Sequence, residues 1–307
     1  MQTKTQSIQK ASWISIWGNA LLSVLKIVIG IISGSLAVVA DGIDSASDIV
    51  TSMITLFTAK IIAKPPDIRF PYGYEKADTI ASKVLSFIIF FAGAQLAIST
   101  LRSLIENEAR EMPTQVAIYV TIISIFGKLL LALYQFKIGK KVNSSMLVAN
   151  AKNMQNDVII SFSVLLGLIF TFIFKMPILD VITAFAVSGW IMYVAFKIFM
   201  KSNVELMDGI EDTRVYKKVF EAIDEIEGAH NPHHLRIRQI TNTYLIAMDI
   251  EIDENLSVKE AHEIAHNVDE NIRLKIENVF DILIHTEPKG VHHPDEAYGV
   301  SSKDMKN

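Results

Sequence analysis

Six times between residues 13 and 200 the chain runs for twenty or more positions with few charges: 13–32, 36–62, 78–101, 114–136, 146–174 and 178–200. A hydrocarbon core takes ~20 helical residues to cross, so each run predicts a transmembrane helix. The connections Ser33-Gly34-Ser35 and Lys175-Met176-Pro177 are so short that the helices they join must form antiparallel hairpins. Beyond Met200 the pattern changes. Val215, Val219, Ile223 and Ile226 recur at helical spacing up to Gly228. A basic stretch, 235–240, reads as a strand, and Tyr244, Ile246, Met248, Ile250 and Ile252 alternate as a half-buried strand does. Ala261, Ile264, Val268, Ile272 and Ile276 mark a second helix, and Phe280, Ile282 and Ile284 are expected to point inward from a last strand. The order αββαβ predicts a two-layer α+β domain with its helices on one face of a sheet. The polar tail past Pro288 is expected to be disordered, with His292-His293 a solvated pair. No internal repeat or low-complexity tract interrupts this plan.

Charge orients the spans. Lys4, Lys10, Lys60, Lys64, Arg69, Lys76, Lys137, Lys140, Lys141, Lys197 and Lys201 fall on one side, with little beyond Arg110 and Lys175 on the other and Arg102 at a span end. By the positive-inside rule both termini are cytoplasmic. The first apolar run carries Lys26 and lacks a small-residue cleavage pattern, so it reads as a retained span. Half of the 307 residues are hydrophobic, and the mean hydropathy of +0.33 suits a membrane portion joined to a soluble one. A net charge of −4 gives no sign of a nucleic-acid partner. The absence of cysteine excludes disulfides, thiolate metal sites and thiol catalysis.

The polar positions inside the spans carry the chemistry. Asp41, Asp44 and Asp48 lie in the second span, and each carboxylate in a bilayer costs at least ~2.5 kcal/mol. Asp44 and Asp48 are four apart and share a helix face; Asn153 and Asp157 repeat that spacing in the fifth span. Counted from the inner span ends, Asp48 and Asp157 differ in depth by only ~5 Å, about one turn, so the four side chains can surround one ion. Asp41 suits a packing or hydrogen-bonding role in the bundle at least as well as ligation. Lys26 and Lys83 suit snorkelling or pairing within the bundle, and Asp180 suits the N-cap of the sixth span.

Several stretches, in this order and at these span positions, resemble the cation diffusion facilitators, exporters of divalent metal ions. They are Gly18-Asn19-Ala20-Leu21-Leu22 with Lys26 and Gly30, Gly34-Ser35-Leu36-Ala37 leading into 40–48, Pro71-Tyr72-Gly73-Tyr74-Glu75-Lys76-Ala77, Ala149-Asn150-Ala151 ahead of 153–157, and Glu205-Leu206-Met207-Asp208. The resemblance implies a multi-pass α-helical membrane protein of six transmembrane helices with a C-terminal cytoplasmic α+β domain (αββαβ, ferredoxin- or metallochaperone-like). The expected parts are a cytoplasmic tail at 1–12, a transport domain at 13–207, a dimerisation and metal-sensing domain at 208–290 and a disordered tail at 291–307. The resemblance further implies a homodimer in the cell membrane that exchanges a divalent metal for protons, with no nucleic acid, no prosthetic group and no enzymatic activity.

The same resemblance makes Asp44, Asp48, Asn153 and Asp157 the transport site. Zinc-moving relatives usually have histidine where Asn153 stands, and Asn or Asp there marks the manganese-moving branch. An all-oxygen set is harder and suits Mn²⁺, whereas imidazole nitrogen favours zinc; Fe²⁺, Zn²⁺ and Co²⁺ are the alternatives. In the loop that binds a second metal in some members, Asp67, Phe70 and Tyr74 leave too few ligands, so that site is expected to be absent. Lys76 and Asp208 match a pair that interlocks the membrane part with the soluble domain. His233, Asp249, His262, His285 and Glu287 match a cytoplasmic metal site, with Asp249 outside the core; a His262/His266 pair is a solvated helix face or a chelate. Two other classes fit less well. An intramembrane aspartyl protease resembles Gly-x-Gly-Asp at one aspartate, which this chain lacks, and six spans with charged interiors exceed what an anchor for a metal sensor needs.

Overall fold

The computed structural model describes residues 2–74, 76–105, 111–142, 144–210, 212–240, 243–290 and 298–301. Arg110 and the His292-His293 pair lie outside the described residues. Two compact units emerge: residues 1–60 with 81–199, and 61–80 with 200–307.

The first unit is built on six helices: α1 (Gln2–Ser33), α2 (Leu36–Ile62), α3 (Lys76–Ile105), α4 (Val116–Lys141), α5 (Ser145–Phe174) and α6 (Ile178–Leu206). The helix α1 begins at Gln2, so the tail expected before the first span is a helical extension of it. Among the described residues five helices are long and apolar enough to cross a membrane; α2, which carries Asp41, Asp44 and Asp48, is not one of them. Large apolar side chains stay exposed along these helices (Trp17 69%, Phe91 68%, Leu130 67%), a surface that suits lipid rather than water. Inside, Ala37, Val38, Leu85, Ile89, Val164, Leu168, Ala184 and Ile191 form one cluster.

Local chemistry sets the helix ends. Ser144 starts α5 by accepting from the Leu147 amide at 3.4 Å. Lys175 ends that helix in the left-handed conformation (φ 54°). Asp180 departs from the sequence expectation. It sits in the first turn of α6, and its carboxylate accepts from Ser35 Oγ at 2.6 Å, Leu36 N at 2.8 Å and Ala37 N at 3.4 Å. Asp180 thus caps the amino end of α2, whose first amides lack intrahelical partners and whose dipole favours a carboxylate. Between α1 and α2 the backbones nearly touch at Gly42, where a Cβ would stand 2.6 Å from Ile27 Cγ1 and 3.0 Å from Ile27 N. That approach lets Ser23 Oγ donate to Gly42 O at 2.9 Å.

In the second unit α7 (Arg214–Asp224), β1 (His230–Ile240), β2 (Thr243–Ile252), α8 (Val258–Lys275) and β3 (Val279–Pro288) follow the expected αββαβ order. The sheet order is β1-β2-β3, with β1 antiparallel and β3 parallel to β2. A parallel neighbour needs a crossover, and α8 supplies it. A capping box of Ser257 and Glu260 starts α8. Val219, Ile223, Val268 and Ile272 from the helices pack on Ile246, Met248 and Ile250 of β2, which fixes the even-numbered side of β2 as the core face. A register shift between Tyr244 and Leu245 puts Val279 on that core and leaves Phe280, expected inside, 48% exposed. The tail was expected to be disordered; its residues 291–297 and 302–307 lie outside the described residues. Residues 298–301 return to β1, where Leu235 and Val300 exchange both backbone hydrogen bonds at 3.0 and 2.9 Å.

Candidate metal centres

Asp48, Asn153 and Asp157 line one cavity of about 90 Å³, together with Ser15, Asn19 and Asn150. Both members of the four-residue pair on α5, and Asp48 alone of the pair on α2, therefore face one place. Asp44 is not among the described lining residues; it lies one turn along α2 from Asp48. Asn19 Oδ1 is buried without a hydrogen-bond donor among the described residues and adds an oxygen to the lining. Carboxylate and amide oxygens, the donors that hard divalent cations prefer, line the cavity together with hydroxyls and Met154, whose thioether accepts from Ser15 Oγ at 3.8 Å.

The sequence reading missed Lys128. It stands on α4 with its side chain 1% exposed, donates from Nζ to Asp157 Oδ2 at 3.0 Å, and lies 3.7 Å from Asp48 Oδ2. Its signal was available, since a lone lysine inside an apolar span demands a partner.

A second buried cation lies beside this group. Lys26 Nζ is 2.8 Å from Asp41 Oδ2, and it donates to Ser161 Oγ at 2.9 Å and Ser45 Oγ at 3.3 Å. Ser161 Oγ in turn donates to Asp41 Oδ1 at 2.8 Å. Lys26 and Asp41 are both fully buried, so Lys26 is paired within the bundle and does not snorkel. The ammonium meets Asp41 Oδ2 as an ion pair off the hydrogen-bond direction, since that oxygen has no hydrogen-bond partner among the described residues. Lys83 lies over the Phe199 ring, 5.2 Å from its centroid.

In the second unit the sheet register sets His233 opposite Asp249 and Asp249 opposite His285, one row across three strands. His233 Nε2 lies 3.2 Å from Glu287 Oε2, and His285 Nδ1 lies 3.4 Å from Glu287 Oε1 and 3.8 Å from Asp249 Oδ1. His234, which the sequence reading passed over, meets Asp249 Oδ2 through Nδ1 at 2.8 Å. Adjacent strand residues normally face opposite sides. Here β1 is irregular on both sides of His233, and His234 has φ 49°, so both imidazoles lie on one side of the sheet, His233 against Glu287 and His234 against Asp249. Among the described residues two sets of ligand atoms lie close enough to hold a metal: His233, His234 and Asp249, and Asp249, His285 and Glu287.

Asp249 is on the sheet face away from the helices, yet it is only 6% exposed, because the histidines cover it. Tyr298 stacks on His234 with centroids 4.5 Å apart. Gly299 makes that return possible: at φ 77°, a Cβ there would lie 2.6 Å from the His234 backbone. His262 does not join the cluster in either set of ligand atoms. It is exposed on α8, whose inner side packs on the opposite sheet face, and it stacks with His266 at 6.4 Å.

In the loop before α3, Asp67 accepts from Tyr74 Oη at 2.5 Å and from the amides of Arg69 and Phe70 at 2.8 and 2.9 Å. The Tyr74 hydrogen bond, with the backbone bonds behind it, holds this exposed carboxyl below its ordinary range. Phe70 and Tyr74 pack ring against ring at 4.7 Å. Asp208 ends α6 in the left-handed conformation (φ 60°); its carboxylate meets Lys76 Nζ at 2.6 Å and Arg238 Nη2 at 3.1 Å.

A bundle of apolar helices enclosing carboxylates and amides, with a soluble α+β domain after it, defines a membrane carrier of cations. Residues 12–207 match the family of the cation efflux transmembrane domain, and residues 212–289 match the cation efflux protein cytoplasmic domain. The chain belongs to the cation efflux family, the cation diffusion facilitators, and its function is efflux of divalent metal cations. It is 30% identical to the manganese efflux system protein MneS of Bacillus subtilis, over 91% of this chain and 95% of that protein. It is 31% identical to the uncharacterized transporter YdbO of the same organism, over 92% of this chain and 96% of that protein. The metal-bound C-terminal domain of the CzcD transporter from Thermotoga maritima is 35% identical, over 26% of this chain and 92% of that chain, with a TM-score of 0.25.

Proposed function

We propose that the chain exports Mn²⁺ in exchange for protons, through a site formed by Asp44, Asp48, Asn153 and Asp157. The observation that carries this reading is the cavity lined by Asp48, Asn153 and Asp157, whose charged and amide donors are oxygens and which has no imidazole among the described residues that line it. The relatives named as manganese efflux proteins, MneS at 30% and MneP at 26% identity, support the choice of metal. Three carboxylates attract a dication strongly; once it leaves, Lys128 answers one of their charges, and the rest are charges that a membrane interior disfavours. Protons are the smallest cations able to neutralise them, which is the reason for exchange rather than simple release. The protein works as a homodimer with both termini and the αββαβ domain in the cytoplasm. There His233, His234, Asp249, His285 and Glu287 sense metal, and the Lys76–Asp208 pair ties the first residue of α3 to the segment that leads into that domain.

Reconstituted vesicles offered Mn²⁺, Fe²⁺, Zn²⁺ and Co²⁺ in parallel test the metal. Mn²⁺ should be carried best, with proton movement in the opposite direction. Asn153→His should shift preference toward Zn²⁺, because it converts four oxygen donors into three oxygens and a nitrogen. An active Asn153→His protein that keeps the wild-type order of metals would remove the basis for the manganese assignment.

A further inference from the structure

We propose that Lys128 is a tethered cation that competes with the transported metal for Asp48 and Asp157, weakening binding enough to permit release and closing the site to monovalent ions. This rests on the Asp44/Asp48/Asn153/Asp157 reading of the transport site. The ammonium lies 3.0 Å from one Asp157 oxygen and 3.7 Å from one Asp48 oxygen. A metal held by these carboxylates would sit ~2.0–2.2 Å from its oxygens. It would therefore stand within a few ångströms of the ammonium, where two positive charges in a poorly screened interior repel strongly. The two cations do not occupy the carboxylates together without a rise in energy, so metal entry displaces Lys128.

The contrast with Lys26 separates this role from simple pairing in a bundle. Lys26 sits in a closed network, with Asp41, Ser45 and Ser161 around it, and none of those four is among the described residues lining the cavity. Both carboxylate partners of Lys128 line it. Selectivity by charge follows. A sodium or potassium ion brings no more charge than the lysine it would displace, whereas a divalent ion brings twice as much.

The test uses the full-length protein, purified and reconstituted, with Mn²⁺ as the probe. Lys128→Met removes the charge and keeps the chain length. Mn²⁺ binding by calorimetry should tighten at least tenfold, about 1.4 kcal/mol, and in vesicle flux KM and the maximal rate should fall together. Sodium should become an inhibitor of Mn²⁺ transport, a change that loss of a merely structural residue would not produce. Lys128→Gln keeps a donor for Asp157 without the charge and should tighten binding in the same direction. Unchanged or weaker Mn²⁺ binding by either variant in folded protein overturns the proposal. Failure of both variants to fold also overturns it, since Lys128 would then be a counter-ion that holds the bundle together. Asp157→Asn separates this from the site reading: if that protein binds Mn²⁺ with wild-type affinity and stoichiometry, the transport site itself is misplaced, whatever Lys128 does.

Discussion

Removing Asp41 should damage the protein far more than removing Asp41 and Lys26 together. The pair is fully buried, with Nζ 2.8 Å from Oδ2. In Asp41→Ala the ammonium keeps only the hydroxyls of Ser161 at 2.9 Å and Ser45 at 3.3 Å. Stranding one member of a buried ion pair costs ~3–5 kcal/mol. Replacing both by apolar residues of similar size removes the desolvation of two charges as well as their attraction, and is often close to neutral. Lys26→Met with Asp41→Leu leaves the Ser45 and Ser161 hydroxyls to find other acceptors, at ~1–3 kcal/mol for any that fail. With both hydroxyls re-paired, the double variant should recover at least half of the loss in either single one. Unfolding in detergent micelles measures that recovery, and Mn²⁺ flux on the same preparations shows what the pair does for transport. If Asp41 serves only the bundle, the double variant transports Mn²⁺. A folded double variant that no longer carries metal, or one no more stable than Asp41→Ala, refutes the argument, the first outcome by making Asp41 part of the ion path.

Asp180→Ala strips three hydrogen bonds from the start of α2 and should cost ~1–3 kcal/mol by the same unfolding measurement, with Asp180→Asn losing less because its amide oxygen still accepts. His234→Ala should lower the number of metal ions bound per chain in calorimetry, whereas His262→Ala should leave it at the wild-type value. Asp67→Ala should leave both metal stoichiometry and Mn²⁺ flux close to wild type, because its carboxylate serves Tyr74 and the local turn.

What the sequence made legible was local in origin. A helical repeat sets Asp44 beside Asp48 and Asn153 beside Asp157 within a single segment, so the four-residue spacing could be read without knowing the fold. The switch from long apolar runs to helical and alternating periods likewise marked αββαβ before any strand was paired. Partners supplied by other segments were not legible. Lys128 meets a carboxylate 29 positions away on another helix, and Asp180 caps a helix 144 positions before it. His234 was hidden because the strand is read from 235 in the sequence, whereas β1 starts at His230 and bends around His233 and His234. His262 lies apart from Asp249 within the chain because α8 covers the sheet face that Asp249 does not share.

The joining of α1 to α2 has a mechanical meaning. The hairpin is closed at its turn by Ser35 N to Gly30 O at 3.0 Å, again by Lys26 and Asp41 at 2.8 Å, and further down by Ser23 Oγ and Gly42 O at 2.9 Å. Two rods fastened at three heights act as one lever and have no joint between them. In the proposed exporter, any rocking that moves Asp44 and Asp48 must take α1 with it. The hinge then belongs at the borders of the hairpin, and the amides near Gly42 should be among the slowest in the bundle to exchange with deuterium.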